Sequence, residues 1–354
     1  MGAAGPAPAS LPLGGRAKRY LRRHPVLCLA LLTPGIPEYL SGSSSPVGLL
    51  TSPGLFGLLL VANLGLYTAG VLLIREARVR WQLGWPSVLA LGVAYGIAEE
   101  GLALATLFNP HAGPVDPATS GHLVGVNWVW SSTILPFHAL YSVALPILLL
   151  ELALPEWKGR PLLEGRRLRW TAAAYVATVA LLGIGLGLGE YWMGLPVLVG
   201  SLLAIAGLVA VARWLPPDLV RLSGGRSTWT AGRMFGLGFA LFPLLLVLPG
   251  VLLERQLPLL FVLEVAPTVC AIAFALLVRH LRADDAGASL VAFASGAIVP
   301  VAGIGVFYAI AHFPLGLPLV ALVDLVAALF LGKLYRRLAG TTSRVPPNPV
   351  PVAG

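Results

Sequence analysis

Long apolar runs recur along this chain, separated by short segments where Arg, Pro and Gly collect. A membrane-spanning helix needs about 20 mostly apolar residues. Ten stretches meet or approach that length: 25–41, 54–74, 86–108, 127–153, 171–190, 195–213, 235–254, 257–278, 288–312 and 315–335. The first is short and broken by Pro34, Gly35 and Pro37, so nine spans plus a re-entrant segment is the competing count. The pattern predicts an all-α, polytopic transmembrane bundle of about ten helices. Its parts are a basic arm over 1–24, a single membrane domain over 25–337 with a candidate site core at 85–153, and a Pro-rich tail over 338–354, expected to be disordered.

The basic residues give the bundle a direction, because Lys and Arg gather in cytoplasmic loops. With the N-terminus inside, 23 of the 24 Lys and Arg fall on the cytoplasmic side, and only Arg255 falls outside. One shifted span would scramble this alternation, so the count of ten and cytoplasmic N- and C-termini support each other. The apolar run after the arm lacks the compact core and small-residue cleavage site of a signal peptide, which predicts a retained first span. Short cytoplasmic loops and no organelle signal predict a prokaryotic plasma membrane.

Composition narrows the class. Apolar residues make up 57% of the 354 and charged residues 11%, against about 25% charged in soluble domains, and the mean hydropathy is +0.84. The expected partner is therefore the lipid bilayer. A secreted or cytosolic enzyme and a nucleic-acid-binding domain are excluded, since the net charge of +9 flanks apolar runs instead of covering a soluble surface. Cys28 and Cys270 each lie alone in apolar runs and predict neither a disulfide framework nor a thiolate metal site.

The acids follow a pattern of their own. Glu38, Glu99, Glu100, Glu190, Glu254, Glu264 and Asp324 all fall in the outer half of a span or at its outer end. A charge at bilayer depth costs about 2.5–3.5 kcal/mol even on the lenient insertion scale. Such a set is tolerable if the groups face water, pair or take up protons, which predicts an acidic cavity opening to the outer face. Glu254 and Glu190, at helix ends, are expected to snorkel. Glu264 and Asp324 lie deeper, and Glu38 either caps the broken segment before SGSSS or lines the cavity mouth.

The sharpest local feature is AYGIAEEGLALATLFNP at 94–110. Glu99 and Glu100 come about 14 residues into their span, hence ~20 Å deep. Two adjacent carboxylates in a membrane cannot both ionise cheaply, so one is expected to stay protonated while the other acts as a base. Gly92, Ala94, Gly96, Ala98 and Gly101 around them allow close helix approach. In the next span, ILPFHALYSVALPILLLE brings His138 to a matching depth, with Tyr141 and Ser142 nearby and Pro136 and Pro146 loosening the backbone. His312, at the outer end of the ninth span, is a candidate third member.

Adjacent glutamates on one membrane helix and a histidine on the next resemble the CPBP (CAAX protease and bacteriocin-processing, Abi-type) superfamily of glutamic intramembrane proteases. The family pattern is EExxxR, then FxxxH, then HxxxN/D. The resemblance, over roughly 85–150, implies an all-helical membrane core. It also implies a glutamate among Glu99–Glu100 that activates water, and His138 as the group that holds the water or the oxyanion. The sequence departs from the pattern at Leu104 in the arginine position, Ile134 four residues before His138, and Ser142 where Asn or Asp would end the last motif.

Two functions follow. The first is a CPBP-like intramembrane hydrolase of endopeptidase type, acting on a membrane-protein or peptide substrate through Glu99, Glu100 and His138, with Glu38, Glu264, Asp324, His312, Ser142 and Tyr141 lining the site or its cavity. Two carboxylates and an imidazole suit a metal ion, but the sequence itself assigns no metal, cofactor or oligomeric state. The alternative is a proton-coupled secondary transporter, supported by a possible five-plus-five inverted repeat and by broken helices at 34–37 and 296–305. Clustering separates the two. A hydrolase gathers these groups at one water-sized site, and a transporter spreads its acids along a path.

Overall fold

The computed structural model describes residues 19–44, 53–111, 121–189, 191–312 and 314–342. The arm before Arg19, the stretches 45–52 and 112–120, Glu190, Phe313 and the tail after Thr342 lie outside the described residues. The chain is built from helices α1 (Pro25–Pro34), α2 (Pro53–Val61), α3 (Ala69–Arg80), α4 (Trp85–Gly96), α5 (Trp128–Phe137), α6 (Leu145–Ala153), α7 (Gly165–Gly189), α8 (Leu195–Trp214), α9 (Ala231–Phe242), α10 (Leu248–Glu254), α11 (Leu259–His280), α12 (Ala286–His312) and α13 (Leu317–Thr342).

Several of these pieces are joined into longer rods by π-helical turns, in which one extra residue widens the helix. Such turns follow α1 (Gly35–Tyr39) and α4 (Ile97–Ala103), and link α2 to α3 (Ala62–Thr68), α5 to α6 (His138–Ala144) and α9 to α10 (Pro243–Val247). Prolines stand at or beside several of them, including Pro37, Pro136, Pro146 and Pro243. A proline has no N–H to give the i→i−4 ladder, which loosens the helix locally.

Among the described residues eight helices are long and apolar enough to cross a membrane, from Gly57–Arg80 to Leu317–Thr341. They match eight of the ten expected stretches. The other two are helical but different in kind. The first, α1 with its π turn, is short. The third, expected over 86–108, runs from Trp85 to Ala103 and carries two glutamates that lower its hydropathy. It then ends abruptly. Ala105 adopts φ +56°, a left-handed conformation rare for a residue with a Cβ, and the chain turns back.

Past the turn, a short antiparallel hairpin pairs His122–Leu123 with Val126–Asn127. Val124 and Gly125 at its tip both have positive φ, the geometry that two-residue hairpins favour. Asn127 closes this end of the bundle. Its side chain caps α5 by accepting from Trp130 N at 3.0 Å, and its own N–H donates to Leu107 O at 2.8 Å.

Burial is uneven across the bundle. The rod Trp128–Ala153 is the most enclosed of the eight apolar helices, while Gly165–Gly185 and Leu195–Trp214 are the most exposed. Residues of α5, α6, α9 and α12 share one apolar core, and α3, α4 and α6 share a second. Helices α9 and α12 cross at Gly238 and Gly296. A Cβ on either glycine would run into the other helix's backbone at Phe293 or Phe235. That is the small-residue contact by which membrane helices approach closely.

Arg75, Arg78 and Arg80, in the gap between the expected stretches 54–74 and 86–108, belong to the last turns of α3 and to an ionic knot. Arg75 and Glu76 are fully buried and 3.2 Å apart. Arg75 donates to Trp157 O at 2.5 Å, and Glu76 also pairs with Arg80 at 3.1 Å and accepts from Leu162 N at 2.6 Å. Arg78 pairs with Glu151 of α6 and stacks over Trp85 of α4. The segment 154–164, folded across this end, supplies the carbonyls and N–H groups that make the buried charges tolerable.

Candidate functional site

The site begins with a backbone approach. Gly92 and Gly96 of α4 face the second rod. A Cβ on Gly92 would lie 2.7 Å from Ala139 Cα, and one on Gly96 would lie 3.3 Å from His138 Cβ. Any larger residue would hold the rods apart. Immediately after Gly96 the helix opens into the π turn Ile97–Ala103, and opposite it the second rod opens into the π turn His138–Ala144. Glu99 and Glu100 sit in the first turn, and His138 and Ser142 in the second.

The His138 ring lies between the carboxylates. Its Nε2 is 2.9 Å from Glu100 Oε1, and its Nδ1 is 3.0 Å from Glu99 Oε2 and 2.9 Å from Ser142 Oγ. All four residues are buried. Glu100 is tied down further by the Thr106 hydroxyl, which donates to its carboxylate because the Ala105 turn folds the chain back. Glu99 differs. Its Oε2 faces His138 Nδ1, the nitrogen that Ser142 also contacts, and the buried Tyr95 hydroxyl interacts with the same carboxylate.

Two further π turns adjoin. Glu38, in Gly35–Tyr39, accepts from Tyr67 OH at 2.6 Å through Oε1 and from Ser44 Oγ at 2.6 Å through Oε2. Tyr67 belongs to the π turn Ala62–Thr68 and its ring is tilted against that of Tyr95, whose centroid lies 6.1 Å from that of His138. Glu38 interacts electrostatically with Glu99 and His138 without touching them. Of the five π turns among the described residues, four therefore carry groups at or beside one buried cluster. Such turns are frequent at functional sites because they turn side chains off the regular helical phase.

The structure thus brings together Glu99, Glu100, His138 and Ser142, with Glu38 behind them. The remaining candidates are not joined to them. The Tyr141 ring stacks on Phe137 at 4.7 Å and its hydroxyl has no hydrogen-bond partner. Glu264 is exposed on α11. Asp324 is half-buried on α13, with one oxygen unpartnered. His312 is exposed at the end of α12, against Tyr308. The sequence reading did not single out Thr106, Tyr67, Ser44 or Tyr95. Thr106 lay within the 94–110 segment, but only the positive φ at Ala105 returns it to Glu100.

This arrangement has defined chemistry. Three ionisable groups share few protons, and the ring can donate to one carboxylate while its other nitrogen exchanges a proton with Ser142 or Glu99. The three residues also offer ligand atoms within 4.8 Å of one another, the donor set of a metal ion.

Comparison with known proteins adds the family. A model described as an uncharacterized membrane protein family matches residues 27–346. No curated protein and no solved structure matches the chain.

Proposed function

The chain belongs to that uncharacterised membrane protein family and is an integral membrane protein, and we propose that it is an intramembrane hydrolase of the glutamic type. The observation that carries this reading is the buried His138 ring held between Glu99 and Glu100 at 3.0 and 2.9 Å. Glu99, beside His138 and Tyr95, takes a proton from water as the water attacks a carbonyl. Glu100, fixed by Thr106 and His138, orients the ring. His138 stabilises the oxyanion and passes a proton to the leaving group. The CPBP resemblance makes a peptide bond the expected scissile bond, with endopeptidase action on membrane proteins.

Clustering favours hydrolysis over proton-coupled transport. Glu264, Asp324 and His312 have no hydrogen bond or ion pair to the cluster among the described residues, whereas a proton path would link its acids. In this reading the bundle has ten spans, both termini are cytoplasmic and the site opens toward the outer face of a prokaryotic plasma membrane. The distribution of Lys and Arg supports that orientation.

The test uses the full chain in proteoliposomes, offered a mixture of membrane-spanning peptides and analysed by mass spectrometry in water enriched in heavy oxygen. New peptide termini carrying the label are expected from the wild type. Glu99→Gln, Glu100→Gln and His138→Ala are expected to lower the rate by about 10²–10⁴-fold. Equal cleavage by all three variants overturns the reading.

A second reading rests on the same ligand atoms, which lie close enough to hold one divalent metal. Elemental analysis of the purified protein separates the two. One equivalent of zinc, lost with His138→Ala, favours metal-activated water; protein active without metal favours Glu99 alone.

A further inference from the structure

Beside Glu99 a cavity of about 540 Å³ opens between α3, α4, α7 and α8, within the roughly 300–1,000 Å³ of ligand pockets. Its lining is apolar, with Leu73, Ala98, Val179 and Ile205 among the walls. Its rim is built from Val176, Ile184, Leu198 and Leu202, large apolar side chains exposed on the two least enclosed spans. In an integral membrane protein those faces meet lipid, so the cavity is continuous with the bilayer.

Its inner end reaches the site. Tyr95 and Tyr175 close it as a stacked pair, with centroids 6.4 Å apart and planes 22° from parallel. Gly70 leaves room for both rings, since a Cβ there would lie 2.6 and 2.8 Å from their edges. Beyond Tyr95 lie its own hydroxyl and the buried carboxylate of Glu99, which faces His138 Nδ1 at 3.0 Å.

The opening decides the occupant. Along the α8 wall from Leu198 to Val209, about 16 Å at ~1.5 Å per residue, the rim is apolar and exposed on the faces that meet lipid. The groups that reach it from the side are the hydrocarbon chains of the surrounding bilayer, and one extended acyl chain can lie along it.

We propose that this groove holds the acyl chain of a bilayer phospholipid and delivers the ester carbonyl at its head to Glu99 and His138. The chemistry rests on the hydrolase reading, and the chain site rests on the groove alone. Water adds across the acyl carbon–oxygen bond. Its hydroxyl goes to the acyl carbon and its proton to the leaving glycerol oxygen, giving a fatty acid and a lysolipid with no redox partner.

The experiment places the full chain in phosphatidylcholine nanodiscs doped with a phosphatidylcholine whose acyl chain carries a diazirine. Photolysis is followed by mapping of the labelled residues and measurement of released fatty acid. Label is expected at Val179 and Ile205, enriched over Leu260 and Phe261, which are exposed to lipid elsewhere on the bundle. Ala180→Trp and Leu202→Trp, which fill the groove from two sides, are expected to lower the label about tenfold. Unchanged labelling at Leu260 and Phe261 reports an intact fold. Glu99→Gln is expected to stop fatty-acid release and keep the groove label.

The outcomes separate the two ideas. Groove label no stronger than at Leu260, or indifferent to both tryptophans, overturns the chain site, and spanning peptides still cleaved would leave the hydrolase standing. Groove label without fatty-acid release from the wild type keeps the chain site and removes the ester chemistry. Release from Glu99→Gln at the wild-type rate overturns the delivery to Glu99.

Discussion

Gly92 and Ala139 meet backbone to backbone: a Cβ on Gly92 would lie 2.7 Å from Ala139 Cα. This contact sets the spacing of the two rods that carry the cluster, because His138 is the neighbour of Ala139 and Glu99 lies about two turns beyond Gly92. Gly92→Leu therefore acts at a distance. It is expected to cost about 1–3 kcal/mol of stability through overpacking and to abolish hydrolysis by separating Glu100 from His138. Thermal unfolding in detergent, together with the peptide assay, checks both. Activity retained in a folded Gly92→Leu protein contradicts the link.

Glu100 and His138 are expected to act as a unit. Each alone lowers the rate by about 10²–10⁴-fold, and the double variant Glu100→Gln/His138→Ala is expected to be no slower than the worse single variant. Additive losses indicate separate roles.

Ser142 contacts the ring and is a positioning residue. Ser142→Ala is expected to lower kcat by about tenfold with KM unchanged, because the ring keeps both carboxylates but loses one restraint. A loss as large as that of His138→Ala would instead make Ser142 a nucleophile.

The ionic knot predicts an asymmetry in stability. Arg75→Met removes one of the two cations that pair with buried Glu76, and the only one of them that is itself fully buried, and is expected to cost about 3–5 kcal/mol, while Arg75→Met with Glu76→Leu recovers most of it. Chemical unfolding of the two variants in the same detergent reads the difference. Equal losses place the stability in the shape of the side chains instead of their charge.

At the hairpin end, Asn127→Ala removes the α5 cap and is expected to cost about 0.5–2 kcal/mol, with Asn127→Asp retaining most of the stability. Hydrogen exchange at Trp130 is the direct readout, since its N–H loses its acceptor.

Hydrophobic run length made the helical membrane class legible, because a bilayer demands long apolar segments whatever the function. The glutamate pair and His138 were legible as costly groups at matching depth. What sequence could not supply was phase. Counted as regular helices, Ser142 and Tyr141 look equally near His138, yet the π turn sends one to the ring and the other onto Phe137. The reading of Arg75 and Arg80 as loop residues missed because their buried partners come from 154–164, far along the chain. Glu264, Asp324 and His312 were grouped with the cluster by their expected position along their spans, and the structure sets them apart from it, since hydropathy reports distance across the membrane and says nothing about position within it.

The π turns also make the site a matter of counting. Each holds one residue more than a regular turn would, so deleting a single residue within 97–103 or 138–144 restores the ordinary ladder. Everything beyond it then rotates by about 100°. A deletion that spares both glutamates, the histidine and every apolar position would still turn one side of the cluster away from the other. In these segments the chain tolerates many exchanges of letters and almost no change in their number. A relative with the same residues but one fewer between them would keep the membrane fold and lose the site.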